Sequence, residues 1–444
     1  MSRLLPRNPG QAVVLGFAVA IAIGTLLLMI PAARVGPGGA PFEQALFTAT
    51  SAVSVTGLTV VDTATYWSDL GQAVIAAEIV VGGFGILTSA ALLVMLAGRR
   101  LGLRATLLTQ AEAGALNLAD VRRVVAGVAV LSLSVETVAA TVLTLRFWLG
   151  EDMAFGEALW NGAFHAVSAF NNAGFALFSD SLMSFSGDAW ILVTVALTII
   201  AGSLGLPVAL DLARAPRRAR AWSLHTKITL AMTGALIVLG TLAMWLFEWT
   251  NDATTGDRSA GGKLLLGFFN AITPRTAGFN AIDYGDAQQE TLFVTDILMF
   301  IGGGSGSTAG GVKVATIAVL TLMVISEIRG RTAVTAFERQ IPGPAQRQAL
   351  AVALLAIGIV VTATLALMAV SPHGLSASLF EAVSAFATVG LSTGITADLP
   401  PSGEAILIVL MFIGRVGPLT AGIALLMRER RPLYAFPEER PIVG

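Results

Sequence analysis

The chain has 444 residues, 55% hydrophobic and only 12% charged, and its 27 Lys and Arg almost balance its 28 Asp and Glu. Soluble domains carry about 25% charged residues, so half that share points to a polytopic membrane protein, and the near-zero net charge argues against a nucleic-acid role. The absence of cysteine removes disulfides, thiolate metal sites and thiol nucleophiles.

Spanning a bilayer takes about 20 apolar residues. In chain order, runs of that kind fall at 13–30, 72–97, 124–149, 189–212, 226–249, 291–328, 349–370 and 405–427. The first lacks a small-residue cleavage site and runs into Pro31, so it reads as a retained span rather than a signal peptide. Between spans one and two, three and four, five and six, and seven and eight lies a shorter apolar run of roughly ten residues, too short to cross. Each short run leads into a related segment: Ser51-Ala-Val-Ser-Val-Thr-Gly-Leu58, Ser168-Ala-Phe-Asn-Asn-Ala-Gly-Phe175, Ile272-Thr-Pro-Arg-Thr-Ala-Gly-Phe279 and Ser384-Ala-Phe-Ala-Thr-Val-Gly-Leu391. Their glycines, Gly57, Gly174, Gly278 and Gly390, are spaced 117, 104 and 112 residues apart. This is the signature of an internal repeat.

The fold expected is therefore an all-α polytopic membrane protein. It has four span–pore-helix–span repeats, with eight transmembrane helices and four re-entrant half-helices around a central pore. The repeats run over 1–104, 105–220, 221–345 and 346–444. Non-helical backbone at membrane depth is tolerated only where protein buries it or a water-filled path receives it. Glycine lets such a strand aim its carbonyls in one direction. The triplets Val55-Thr56-Gly57, Asn172-Ala173-Gly174, Thr276-Ala277-Gly278 and Thr388-Val389-Gly390 are the expected carbonyl donors of an ion filter. Their apolar or small side chains, with no ring of carboxylates, suit a large monovalent cation rather than calcium or magnesium. Half-helices that enter from outside would point their partly negative C-terminal ends at the ion. Four extracellular turns with glycine helix caps are the plainer alternative, and the fourfold recurrence disfavours it.

Arginine placement sets the orientation. Arg3 and Arg7 precede span one; Arg99, Arg100, Arg104, Arg122 and Arg123 lie between spans two and three; Arg214, Arg217, Arg218 and Arg220 between four and five. Arg329, Arg331, Arg339 and Arg347 lie between six and seven, and Arg428, Arg430 and Arg431 follow span eight. These sides and both termini are expected in the cytoplasm. The half-helix side carries acidic residues, among them Asp62, Asp180 and Asp283, which would concentrate cations outside the filter.

Span six holds Gly302-Gly303-Gly304-Ser305-Gly306-Ser307-Thr308-Ala309-Gly310-Gly311, followed by Lys313. Interior glycine costs a helix about 1 kcal/mol each. The span is expected to break into a loop that hangs into the pore as a gate, in preference to a close-packed Gly-x-x-x-Gly helix. Charges inside spans are expensive and face a cavity or a partner: Lys313 follows the loop and Arg415 lies in the last span, where a cation either holds the gate closed by repelling ions or pairs with a carboxylate; Asp296 has no assigned role, and Glu78 and Glu136 are expected in structural ion pairs. Arg275 is expected behind the third strand. No nucleophile–base or metal constellation supports an enzyme.

The fourfold plan, the four glycine strands and Gly306-Ser-Thr-Ala-Gly-Gly-Val-Lys313 resemble the Trk/Ktr/HKT superfamily of potassium transporters over nearly the whole chain, and within it the Ktr membrane subunit, because span one begins almost at once and the tail Pro437-Glu-Glu-Arg-Pro-Ile-Val-Gly444 is similar. The resemblance implies potassium as the substrate, held by backbone carbonyls alone, with the four glycines setting selectivity. Gly57 fills a position where some plant members carry a serine linked with sodium permeation. It implies that 302–311 is the gate with Arg415 beside it. It further implies a homodimer with one pore per protomer, in the lipid of a bacterial plasma membrane, seated on a cytoplasmic ring of nucleotide-binding regulatory subunits (Ktr A-type, RCK). ATP, ADP or NAD is expected on that ring, since this chain carries no dinucleotide fingerprint. An alternating-access, sodium-coupled cation transporter is the alternative.

Overall fold

A computed structural model describes residues 9–99 and 118–426, with side chains described over 13–85, 126–127 and 129–417. Arg3, Arg7, Arg100, Arg104, Arg428, Arg430, Arg431 and the tail 437–444 lie outside the described residues, as do the side chains of Arg99, Arg122 and Arg123. Among the described residues the fold is helical, and its only sheet is a two-stranded hairpin of β1, Thr335–Ala336, and β2, Arg339–Gln340.

The helices fall into four groups. The first holds α1 (Pro9–Leu28), α2 (Phe42–Ser54), the single turn α3 (Thr63–Tyr66) and α4 (Asp69–Arg99). The second holds α5 (Leu118–Gly150), α6 (Phe155–Asn171), α7 (Ala189–Leu204) and α8 (Leu206–Arg214). The third holds α9 (Leu224–Glu248), α10 (Ala260–Ile272), α11 (Gln289–Phe300) and α12 (Val314–Ile328). The fourth holds α13 (Gly343–Val370), α14 (Leu375–Ala387) and α15 (Pro401–Leu426). Local chemistry sets several starts. Asp188 caps α7 by accepting from the Trp190 and Ile191 amides, and Ser223 caps α9 by accepting from Thr226 N.

In the first, second and fourth groups the short helix (α2, α6 or α14) packs against the long helices on either side of it, and in the third α10 packs on α9. The groups then join head to tail. The helix after each short helix packs on the short helix of the next group: α4 on α6, α7 on α10, α11 on α14, and α15 back on α2. The contacts therefore close into a ring, with the first group beside the last.

The outer face of the ring is apolar. On α13, Leu350, Leu354, Ile357, Val361 and Leu365 are exposed, while Ala349, Ala353, Ala356, Val360 and Ala363 are buried. Large side chains outward and small ones inward is the reverse of a water-soluble helix and matches helix packing in lipid. Among the described residues, α5 (over Ala129–Gly150), α9 and α13 are each long and apolar enough to cross a bilayer. The run at 189–212 is not one straight rod: α7 and α8 meet at 96°. Gly205 at the break has φ +87°, and Pro207 opens the next turn, two residues that end one helix and start another.

Candidate functional site

The four glycine segments meet. In each, the residue two places before the glycine is left-handed: Val55 φ 57°, Asn172 φ 60°, Thr276 φ 75° and Thr388 φ 51°. The glycines follow with φ 95°, 70°, 75° and 96°. Reversing the sign of φ along a triplet turns successive peptide planes, so that neighbouring carbonyls can face one side. A Cβ placed on Gly57 would lie 3.0 Å from Gly174 Cα; on Gly174, 3.0 Å from Gly278 Cα; on Gly278, 3.1 Å from Gly390 Cα; and on Gly390, 3.0 Å from Gly57 Cα. Each would also meet the carbonyl oxygen of the neighbouring strand: Ala173, Ala277, Val389 and Thr56 in turn. The four strands thus form a closed ring of backbone too tight for side chains. Among the described residues, no N–H or hydroxyl donates to any of the twelve carbonyls of these triplets. Buried carbonyls are ordinarily paired, and these unpaired ones, on residues that are buried except for the half-buried Gly174 and Gly390, are free to receive an electropositive guest.

Hydroxyls staple each strand to its helix end. Ser51 Oγ accepts from Gly57 N at 3.0 Å, and Ser384 Oγ from Gly390 N at 3.1 Å. Ser168 donates to the Phe175 carbonyl at 2.8 Å. In the third strand Ile272 holds the matching place in sequence, and Thr273 does the work, donating to the Phe279 carbonyl at 2.7 Å. Thr273 keeps right-handed helical geometry at the end of α10, which moves the hydroxyl by one residue. Sequence reasoning missed a second set: a Cβ at Gly82, Gly202 or Gly414 would strike the carbonyl of Val53, Phe170 or Phe386. These glycines let the long helices rest on the ends of the short ones. Each falls 24 to 28 residues after its strand's glycine, and that spacing was the available signal.

On one side of the ring the four glycines line a cavity of about 320 Å³, together with Asp62, Asp180 and Asp283. These three carboxylates are also structural: Asp62 accepts from Ala64 N at 2.9 Å, Asp180 from Ser184 N at 2.8 Å and Asp283 from Gly285 N at 2.8 Å.

At the other end of the strands lies the glycine-rich stretch. It is not helical. Gly302 N bonds to the Val312 carbonyl at 2.9 Å and Val312 N to the Phe300 carbonyl at 3.2 Å, which pinches the neck of a loop. Its residues pack under the strands: a Cβ on Gly310 would collide with the Thr388 side chain, and one on Gly304 with the Leu204 carbonyl. The bend at Gly205 fits here, because Leu206 N bonds to the Gly306 carbonyl at 3.0 Å. Beyond the loop is a second cavity of about 320 Å³, lined by Ser305, Gly310, Lys313, Gln348 and Arg415 among others.

The charges inside the helices differ from expectation. Among the described residues, ion pairs join only Arg146 to Asp188 and Glu151. Glu78 and Glu136 are not ion-paired: Glu136 accepts from Asn171 Nδ2 at 3.1 Å, and neither oxygen of Glu78 has a partner. Among the described residues no cationic side chain pairs with either glutamate, and the two cations beside the loop bond to carbonyls instead. Lys313 Nζ donates to the Ala309 carbonyl and, at 3.3 Å, to that of Gly310. Arg415 donates to the Thr308 carbonyl and, at 3.2 Å, to that of Gly82. Both cations therefore hold the loop. Arg275 is buried behind the third strand and donates to Thr233 Oγ1 at 3.2 Å. Asp296 is buried with Oδ1 unpartnered.

A family model described as TrkH, cation transport protein, matches residues 8–429. The chain is 41% identical to the Ktr system potassium uptake protein B of Bacillus subtilis, over 93% of this chain and 92% of that one. It is 38% identical to the protein of the same name in Vibrio alginolyticus, over 98% and 94%. It is 34% identical to the potassium/sodium uptake protein NtpJ of Enterococcus hirae, over 98% and 97%. The crystal structure of the potassium transporter TrkH from Vibrio parahaemolyticus shares the fold, with a TM-score of 0.75 at 18% identity over 96% of this chain and 86% of that one.

Proposed function

This chain belongs to the TrkH family of cation transport proteins, and from that premise we propose that it is the membrane subunit of a potassium-uptake system. Eight spans and four pore helices surround one path per protomer. Potassium sheds its water at the triplets ending in Gly57, Gly174, Gly278 and Gly390, whose main-chain carbonyls replace the hydration shell. The acidic cavity draws cations from outside, and the membrane potential drives them inward with about 2.3 kcal/mol per charge per 100 mV. The loop 302–311, tied by Lys313 and Arg415, obstructs the path below the strands. A cytoplasmic ring of nucleotide-binding subunits moves it, and two copies of this chain sit on that ring. Relatives lettered as one component of a named system support the separate regulator.

The observation that carries this reading is the closed ring of four strands whose twelve carbonyls accept no bond from the described protein. The test is ion flux into proteoliposomes holding the full chain, under an imposed inside-negative potential. Potential-driven potassium uptake that exceeds sodium uptake is expected. Saturable counterflow without conductance overturns it in favour of alternating access.

A further inference from the structure

Thr308 ties the loop to the strands by its side chain. It is 1% exposed. Its one hydroxyl proton is shared between Asn172 Oδ1 and the Phe170 carbonyl, each at 3.3 Å. Asn172 passes the contact on, donating Nδ2 to Thr276 Oγ1 at 3.4 Å. Thr308's own carbonyl accepts from Arg415, whose second nitrogen reaches Gly82. One chain of hydrogen bonds therefore runs from α4 through α15 and the loop to the second strand and on to the third.

The two strand residues it reaches are the left-handed openers of their triplets. A non-glycine residue stays left-handed only where its surroundings over-determine it. A side-chain bond at such a residue bears directly on the dihedrals that aim the next two carbonyls. The first strand has no such link to the loop: Thr56 Oγ1 bonds at 2.7 Å to Ser54 of its own segment.

We propose that Thr308 is a positioning residue for ion discrimination: it holds the second and third strands at their selective spacing through Asn172. This rests on reading the strands as the filter and the loop as the gate. It adds that the two are one device, in which Thr308 keeps its hold on the filter while the rest of the loop clears the path.

The test compares Thr308→Val, which keeps the shape and removes the hydroxyl, with Thr308→Ser, which keeps the hydroxyl. Full-length protein in proteoliposomes is given potassium or sodium under the same potential. Thr308→Val should lower the potassium-over-sodium ratio about fivefold, the bias one neutral hydrogen bond supports, and Thr308→Ser should retain the wild-type ratio. A merely structural role changes both fluxes alike, so an unchanged ratio in Thr308→Val overturns the proposal. If that variant does not fold, Thr276→Val removes the far end of the relay and carries the same expectation. Where both fold, the double variant should be no worse than the stronger single, as coupled sites require; full additivity counts against the relay. Wild-type protein that shows no potential-driven potassium uptake overturns the functional reading instead.

Discussion

A β-branched residue in the left-handed region costs about 1–2 kcal/mol, and Val55, Thr276 and Thr388 all pay it. Their sequences gave no sign of this; only the glycines two residues later were visible as special. The strain persists because stapling hydroxyls and neighbouring strands fix the backbone on both sides. Gly57→Ser should break that arrangement, since its Cβ would push the Ala173 carbonyl aside at φ 95°. Potassium-over-sodium preference should fall about tenfold, in line with ~1–3 kcal/mol of local strain, and competitive uptake of the two ions in a transport-deficient host measures it. Glu78 makes a contrasting case. With neither oxygen partnered, Glu78→Gln should leave the thermal midpoint unchanged or raise it, because removing a buried, unpaired ionisable group relieves a desolvation penalty. A clear drop in a melting assay on purified protein would reveal a cationic partner.

At the scale of elements, the short helices and the glycine loop were legible because both are local. A run of roughly ten apolar residues cannot span, and dense glycine cannot hold a helix. The 96° bend at Gly205 was not legible: Gly205 and Pro207 mark a break, but the Gly306 carbonyl that receives Leu206 N lies about a hundred residues away. The ion pairs expected of Glu78 and Glu136 failed for the same reason: whether a buried charge meets a cation depends on which helix faces it, and periodicity is silent on that. Gly205→Ala should therefore disturb the loop from outside it, since the added Cβ would sit 2.8 Å from the Ser305 carbonyl. We expect higher flux from regulator-free proteoliposomes than wild type gives. Deleting Ser305–Ser307 leaves the neck at Ile301 and Val312 and should raise that flux further; a loss of flux from folded protein would show that the loop does not obstruct.

Over the whole molecule the four groups are alike but unequal. The Cβ of an alanine at 174 would meet Ala277 O at 2.8 Å, whereas at the other three glycines the facing carbonyl is closer, and Gly174 has the smallest φ, 70°. Gly174→Ala should consequently be the mildest of the four alanine variants for ion preference in the same uptake assay. An equal loss from all four would mean that the ring behaves as a symmetric unit. The closure of that ring also has a bearing on how the protein is made. Gly390 rests on Gly57, and Arg415 bonds to Gly82 across 333 positions. The first quarter thus leaves the ribosome with its seam unsealed and must wait in the lipid, bare carbonyls uncovered, until the last quarter is inserted beside it.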